Sequence, residues 1–303
     1  MIKFASIKKK LKKSVAGWLF ILPTVVGLCV FTLYPILQSI MYSFHKYDMI
    51  TVFEFVGINN YLQIFRDPAV VKAFKNTLLF CVCNIPMVLV LSYALALLLN
   101  MKLPGMKIFR VVYYLPCVIP SIAGGILWSA IMKYGTEAPG IFNQIRLALG
   151  MDLSMYFNAS DFEAIRSILV MNLWSLGGGT VVWLAAFKNI PEQLYEAAEI
   201  DGAGRLTKLF FITIPQSGPL VLYQMITLMI STIQFNGTIA FAPYTGAGNN
   251  DATLMLGVKI YIEAFRRTNI GYAAAMSWVL MIITAIITVI MFKVDKRIND
   301  GNY

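Results

Sequence analysis

Charged residues are scarce in this chain, at 13% of 303 residues, whereas a soluble domain carries about 25%. Hydrophobic residues make up 58%. Six windows contain no Asp, Glu, Lys or Arg: 14–44, 76–101, 111–132, 167–187, 209–250 and 268–292. Each holds at least the ~20 residues that a helix needs to cross a hydrocarbon core. The deficit therefore indicates a membrane protein.

The missing intramembrane charges also exclude functions. Ionisable residues are costly inside a bilayer and are kept there for proton relays, ion pathways and voltage sensing. Their absence from all six windows argues against a proton-coupled carrier or a voltage sensor. Sodium coupling through backbone carbonyls stays open.

Histidine and nucleotide-binding motifs are equally scarce. His45 is the only histidine and lies at the outer end of the first window, so a histidine-rich metal site is impossible and an intramembrane Ser–His enzyme is disfavoured. No G-x-x-x-x-G-K-[ST] loop occurs, so we expect no bound nucleotide in this chain. We expect no metal, no cofactor and no enzymatic activity here. If the chain moves solute against a gradient, another polypeptide must hydrolyse the ATP.

The four cysteines all lie inside apolar windows, where a free cysteine behaves as a small hydrophobe. Cys81 and Cys83 are two residues apart and do not share a helix face, so they do not form a metal pair. We interpret all four as structural.

Six spans follow from the windows once 209–250 is trimmed to about 218–241 by Pro215, Pro219 and the segment from Pro243 onward. With the N-terminus inside, the inner segments hold 15 basic and 6 acidic residues, and the outer segments hold 10 and 9. This agrees with the positive-inside rule and places both termini in the cytoplasm. The net charge of +10 is then a topology signal, and we expect no nucleic-acid partner.

The predicted fold is all-α, a polytopic protein of the cell membrane with six transmembrane helices. We divide it into a basic cytosolic tail (1–14), span 1 (15–44), an outer loop (45–75) and a transmembrane core (76–303) that contains a cytosolic loop at 188–216. Prolines inside the first three spans predict kinked helices. The run Gly177–Gly179 in span 4 predicts close helix packing.

The cytosolic loop between spans 4 and 5 predicts a helix, a glycine turn and a second helix. Pro191 suits the first helical position. Leu194, Ala197 and Ala198 share one face by their spacing, which leaves a shallow surface for a partner. Gly202 and Gly204 break the helix. The second, apolar helix then enters span 5 at Pro215.

An alternative for this loop is an amphipathic helix that lies on the lipid headgroups. Such helices favour basic residues on their polar face. Here the polar residues are acidic and an anionic leaflet would repel them: Glu192, Glu196, Glu199 and Asp201. A protein partner is the better interpretation.

The loop resembles the EAA loop of importer-type ABC transporter permeases. Their pattern is E-A-A, three residues, G, nine residues, I-x-L-P, and here it reads Glu196-Ala197-Ala198, Gly202 and Ile212-Thr213-Ile214-Pro215. The segments GWLFILPTVVGLCVFTLYPILQSIMYSF, FVGINNYLQIFRDP and AFKNTLLF are similar to the sugar-type permeases that act with an oligosaccharide-binding protein. Asn236, Thr245 and 246–248 match that group's outer-loop pattern only loosely.

The resemblance implies one half of a permease heterodimer, with a second six-span subunit, two ATPase subunits inside and an extracytoplasmic binding protein that delivers the solute. It implies that residues 191–211 couple ATPase closure to tilting of the spans. The residues expected at that contact are Leu194, Glu196, Ala197, Ala198, Glu199, Asp201, Gly202 and Pro215. We expect Gly202→Asp to abolish transport, through a clash at the turn and loss of left-handed geometry.

Polar or aromatic residues within the spans are the candidates for solute contact: Asn172, Trp174 and Ser175 on span 4, and Gln224, Gln234 and Asn236 on span 5. Amides, hydroxyls and an aromatic face suit a neutral carbohydrate, such as an oligosaccharide. Each of them could instead make hydrogen bonds between helices. The rival functions are a stand-alone ion-coupled or passive carrier and a membrane-embedded enzyme or scaffold.

Overall fold

The computed structural model describes residues 17–101, 103–154, 161–234 and 251–300. We number the elements in chain order. They are α1 (Gly17–Ser43), β1 (His45–Tyr47), β2 (Phe53–Phe55), α2 (Asn59–Arg66), α3 (Pro68–Leu99), α4 (Met106–Val118), α5 (Ser121–Ile131), α6 (Ile141–Ala148), α7 (Asp161–Leu173), α8 (Gly177–Asn189), α9 (Glu192–Ile200), α10 (Arg205–Gln216), α11 (Gly218–Ile233), α12 (Leu256–Tyr261) and α13 (Ile270–Asp300).

Three helices are each long and apolar enough to cross a membrane, namely Gly17–Ser43, Pro68–Leu99 and Ile270–Lys296. Three bent pairs pass the same test when each is taken together. The two helices of a pair meet at 102° in α4–α5, at 49° in α7–α8 and at 65° in α10–α11. The described residues therefore provide three to six spans, which is compatible with the six that the sequence predicts.

The bends lie where the sequence breaks a helix. Pro120 has an extended backbone, with ψ at 135°, and it separates α4 from α5 inside the window that the sequence predicts as one span. Ser217 separates α10 from α11, and Gly218 and Pro219 follow it directly. Pro86, by contrast, lies within α3, which continues through it.

Two compact units divide the chain. The first comprises residues 1–64 and 263–278, and the second comprises 65–262 and 279–303. Within the first unit, β1 pairs with β2 in an antiparallel hairpin that follows α1 directly. No residue in the most apolar stretch of α1 is buried inside this chain.

In the second unit, α3 is the central helix and packs against α7, α8 and α11. An apolar cluster joins the ends of α3 and α8. Its buried members are Ala96, Leu99, Trp183, Leu184, Ala186, Phe187 and Ile190. Trp183 is fully buried, and its Nε1 donates to the hydroxyl of Ser92 at 3.0 Å.

The predicted outer loops contain regular structure, and one predicted boundary changes. Residues 45–75 hold a β-hairpin and α2, so the fold is not wholly α. α3 begins at Pro68 instead of residue 76, because the Asp67 carboxylate caps it by accepting the N–H of Ala69 at 2.9 Å. The loop predicted between spans 3 and 4 contains α6.

A buried polar cluster fixes α12 against the start of α3. Lys259 is 4% exposed and its Nζ lies 3.1 Å from the Asp67 carboxylate. The side-chain amide of Asn76 donates to the carbonyls of Ala252 and Leu254, and the Thr77 hydroxyl accepts the N–H of Leu256. These bonds satisfy backbone groups that would otherwise be buried without partners.

Candidate coupling and solute sites

The predicted coupling loop, residues 188–216 (called the coupling loop below), folds as a helix, a turn and a second helix, as the sequence indicates. Pro191 is the N-cap residue of α9 and not its first helical residue, since its ψ of 128° is extended. The expected position was therefore wrong by one residue. The fixed φ of proline still sets the direction in which α9 leaves α8.

Gly202 closes α9 in a left-handed conformation, with φ at +77°. Its N–H donates to the carbonyl of Glu199 at 3.0 Å, and the N–H of Ala203 donates to that of Ala198 at 2.8 Å. This pair of bonds is the Schellman motif. The predicted break at Gly202 is confirmed. The predicted clash is wrong, because no described atom of this chain lies within 4 Å of a Cβ added there.

The exposed side of the coupling loop combines acidic and apolar side chains. Glu196, Ala197, Asp201 and Pro215 are exposed, and Ala198 is half-buried. Leu194 is 39% exposed, so the expected face is only partly free. Other large apolar side chains are more exposed, and the sequence argument left them out of the contact: Ile200, Leu206, Phe210 and Phe211. An exposed apolar surface of this kind marks a contact with a protein or with the membrane.

Tyr195 attaches α9 to the membrane segments, a role that the sequence argument missed. Its hydroxyl lies 2.9 Å from that of Thr213 in α10, and its ring packs on the apolar cluster around Trp183. In the sequence, Tyr195 is the one aromatic residue of α9 and stands next to small and acidic residues, which could have indicated that it packs inward. Lys208 also pairs with Glu199 at 3.0 Å, but Glu199 is 77% exposed, so that pair contributes about 0–1 kcal/mol.

The second end of the coupling loop is fixed at Ser217. The Ser217 hydroxyl donates to the carbonyl of Ile214 at 3.0 Å, so the Tyr93 hydroxyl, 3.1 Å away, donates to it. Tyr93 lies on α3 and packs edge-on against Trp183 and Phe187 of α8. Both ends of the loop thus meet the same packed cluster.

A chain of amides crosses the helices of the predicted solute pathway. The amide of Asn172 on α7 donates to the Asn84 side chain on α3 at 3.0 Å. The Asn84 amide in turn donates to the hydroxyl of Thr232 on α11, also at 3.0 Å. Asn84 and Thr232 were not among the predicted residues. Together the three side chains form an uncharged polar network between otherwise apolar helices.

The other predicted solute residues separate into buried and accessible groups. Gln224 is 4% exposed and its amide donates to the Gly179 carbonyl at 2.9 Å, so it joins two helices. Trp174 is half-buried, with its ring centroid 6.0 Å from that of Trp128. Ser175 and Gln234 are exposed. Asn236, with Thr245 and 246–248, lies outside the described residues.

Gln224→Leu and Gln234→Leu form a matched pair on one span. We expect Gln224→Leu to lower the thermal stability of the purified complex, by about 1 kcal/mol, because the Gly179 carbonyl loses its donor. Gln234→Leu, at an exposed position, leaves stability unchanged. Thermal unfolding of both variants in the same detergent measures the difference. Equal melting temperatures would contradict a structural role for Gln224.

The lone histidine is engaged in structure. The carbonyl of Met41 can only accept, so the His45 Nδ1, 2.7 Å away, donates to it. Among the described residues, no group of three or more His, Cys, Asp or Glu side chains could hold a metal ion. The four cysteines are free.

Known proteins are similar to this chain in sequence and in fold. The family model for the binding-protein-dependent transport system inner membrane component matches residues 78–300. A probable ABC transporter permease protein, YesP of Bacillus subtilis, is 31% identical over 98% of this chain and 94% of its own length. The lactose transport system permease protein LacF of Rhizobium radiobacter is 33% identical over 93% of this chain and 95% of its own.

A third relative is the multiple sugar-binding transport system permease protein MsmF of Streptococcus mutans, 30% identical over 96% of this chain and 99% of its own. Among solved structures, a chain of a bacterial alginate ABC transporter in complex with an alginate pentasaccharide-bound periplasmic protein matches with a TM-score of 0.83. The identity is 20%, and the match covers 96% of this chain and 97% of that one, so it supports the fold.

The bent, apolar helices and the matching family model define a membrane permease subunit. The chain belongs to the family of binding-protein-dependent transport system inner membrane components, and it is a permease subunit of an ABC importer in a bacterial-type plasma membrane. The predicted resemblance is thereby confirmed.

Proposed function

We propose that this permease subunit carries a neutral carbohydrate, an oligosaccharide, that an extracytoplasmic binding protein delivers. The uncharged side chains of Asn172, Ser175 and Gln234, which are half-buried or exposed, carry the proposal. Amides and hydroxyls can exchange hydrogen bonds with sugar hydroxyls, and half-buried Trp174 offers a ring for stacking. The relatives named for lactose and for multiple sugars support the same substrate class.

A relative named for a charged solute helps to decide between a neutral and a phosphorylated solute for this chain. The sn-glycerol-3-phosphate transport system permease protein UgpA of Yersinia pestis is 28% identical over 282 residues. A phosphate group calls for a cation or a bidentate arginine at its site. The six charge-free windows of this chain supply neither. A neutral solute therefore fits this chain better than a phosphorylated one.

The proposed assembly contains this chain, a second six-span permease and two ATPase subunits that bind ATP and magnesium. Both termini lie on the cytosolic side. The ATPase grips the coupling loop through Leu194, the segment 196–199 and the turn at Gly202, with Asp201 and Pro215 at the margins. Closure of the ATPases pushes α9 and α10, and the push tilts α3, α8 and α11 through Tyr195 and Ser217.

Purification and uptake test the proposal. The tagged chain, extracted from native membranes, is expected to retain an ATPase and a second permease. In proteoliposomes with its binding protein, the complex is expected to hydrolyse ATP faster with lactose or a longer neutral saccharide than with glycerol 3-phosphate. Accumulation of solute by the chain without an ATPase would favour the stand-alone carrier, and stimulation by glycerol 3-phosphate alone would overturn the neutral substrate.

A further inference from the structure

The hairpin after α1 has two chemically different faces. Its register pairs His45 with Phe55, Lys46 with Glu54 and Tyr47 with Phe53. Alternate residues of a strand point to opposite sides of the sheet. One side therefore carries four aromatic rings, which we call the aromatic face (His45, Tyr47, Phe53 and Phe55). The other side carries the opposite charges of Lys46 and Glu54.

The rings of the aromatic face pack on each other but stay open on their outer side. The His45 and Phe53 rings are stacked, with centroids 4.4 Å apart and planes 9° apart. Tyr47 meets Phe53 edge-on at 5.4 Å. Phe53 is still 53% exposed and Phe55 is 70% exposed. The tip of the hairpin continues this apolar surface, since Ile50 is 82% exposed.

The base of the hairpin is held rigidly at the end of α1. The side-chain amide of Asn60 is buried and donates to the carbonyls of Ser43 and His45, both at 2.9 Å. The N–H of Val56 donates to the carbonyl of Phe44 at 3.0 Å. A Cβ added to Gly271 would overlap the His45 carbonyl, so α13 approaches the base closely. The hairpin therefore cannot swing freely away from the span.

The turn of the hairpin is closed by Asp48. Its carboxylate accepts the N–H groups of Ile50, Thr51 and Val52, each at 2.9 Å. The Val52 N–H first, then the Ile50 N–H and the Thr51 hydroxyl, hold the pKa of Asp48 well below its ordinary value. The carboxylate is therefore ionised at neutral pH. Its contribution to the turn is lost only as the pH falls below the usual Asp range.

The position of the hairpin along the chain places it at the surface of the bilayer. α1 has 27 residues, so it is about 40 Å long, close to the ~40–45 Å of a bilayer with its headgroups. Only Phe44 separates α1 from β1. A three-residue strand reaches about 10 Å. A helix of this length that crosses the bilayer brings its end, and the start of the aromatic face, to the headgroup layer.

We infer that the aromatic face lies in the membrane interface where α1 ends and binds phospholipid there, with Lys46 and Glu54 turned to water. Amphipathic aromatic rings are enriched at this depth because one side is apolar and the other side is polar. The exposed surface of α1 runs directly into this face: Tyr34 is 60% exposed and Met41 is 40% exposed. Anchored in this way, the hairpin fixes the depth of the first span in the bilayer.

A photocrosslinking pair tests the inference in the whole complex. p-Benzoylphenylalanine replaces Phe55 in one variant and Glu54, its neighbour on the opposite face, in the other. Each complex is irradiated in native membranes with its binding protein present, and the intact permease chain is weighed by mass spectrometry. We expect phospholipid adducts at position 55, roughly tenfold more than at position 54, because the two side chains leave opposite faces.

Three results would overturn the inference. They are a crosslink from position 55 to the binding protein or to the second permease, equal lipid labelling at both positions, and no lipid adduct at position 55. Co-purification of the other subunits shows that each variant assembles. If the Phe55 variant fails to assemble, the probe is placed at Ile50 instead, and the same three results would overturn the inference. Ile50 is 82% exposed, so replacing it leaves the base of the hairpin intact.

Discussion

Gly202→Asp is expected to abolish solute transport while the chain still inserts into the membrane. At φ +77° a non-glycine residue costs about 1–2 kcal/mol, so the Schellman turn that orients α9 is weakened. The space beside Gly202 is free of described atoms of this chain and is therefore open to a partner. Aspartate adds both bulk and negative charge there. Uptake into proteoliposomes and solute-stimulated ATP hydrolysis measure the loss.

Gly204→Asp is the matched control for that variant. It adds the same charge two residues away, at φ −69°, where any residue fits, and Gly204 is the N-cap residue of α10. Aspartate is a favourable N-cap, so this variant should assemble and transport. Full solute-stimulated ATP hydrolysis in Gly202→Asp would contradict the role of the turn. Equal loss in both variants would indicate that charge, and not backbone geometry, is what the ATPase cannot accept.

Gly177→Ala is expected to destabilise the permease strongly. A Cβ at this position would overlap the Tyr113 carbonyl oxygen and lie 3.0 Å from the Tyr113 carbonyl carbon, so α4 and α8 must move apart. Overpacking of this kind costs about 1–3 kcal/mol. The expected result is a lower melting temperature and a lower yield of complex from equal amounts of membrane.

Gly178→Ala provides the comparison one residue further along α8. A Cβ there meets only the Cys117 sulfur, at 3.8 Å, which is ordinary contact. Both substitutions gain up to about 1 kcal/mol of helix propensity. The difference in stability between the two variants therefore measures the effect of packing alone. Gly178→Ala should be neutral or stabilising. A Gly177→Ala complex as stable as the Gly178→Ala complex would show that α4 and α8 have room to adjust.

The coupling loop could be predicted because its signals are local. Pro191 fixes its own φ and Gly202 permits a positive φ, so the start of α9, to within one residue, and its end follow from residue type. The polar network between the helices could not be predicted in the same way. Asn84 lies 88 residues from Asn172 and 148 from Thr232, and only helix packing brings them together. A single amide residue in an apolar window does not indicate which residue on another helix will be its hydrogen-bond partner.

The predicted outer segments show that charge-free windows do not locate the ends of helices. The charge-free window predicts that span 2 begins at residue 76, but Lys72 and Lys75 lie inside α3, because a helix continues past the apolar layer. The pair Asp67–Pro68 was the better signal for its start, as a cap followed by a proline at N1. The hairpin strands have three residues each, too few for their alternation to be recognised beside an apolar span.

The π-helical turn at Leu209–Thr213 has a consequence for the direction in which the coupling loop faces. There the N–H of Ile214 donates to the carbonyl of Leu209, five residues back, so the turn holds one more residue than an α-helical turn. Each residue of an α-helix advances the chain by about 100° around the axis. Relative to an uninterrupted α-helix, that single extra residue therefore turns α9 by about 100° around the axis of α10.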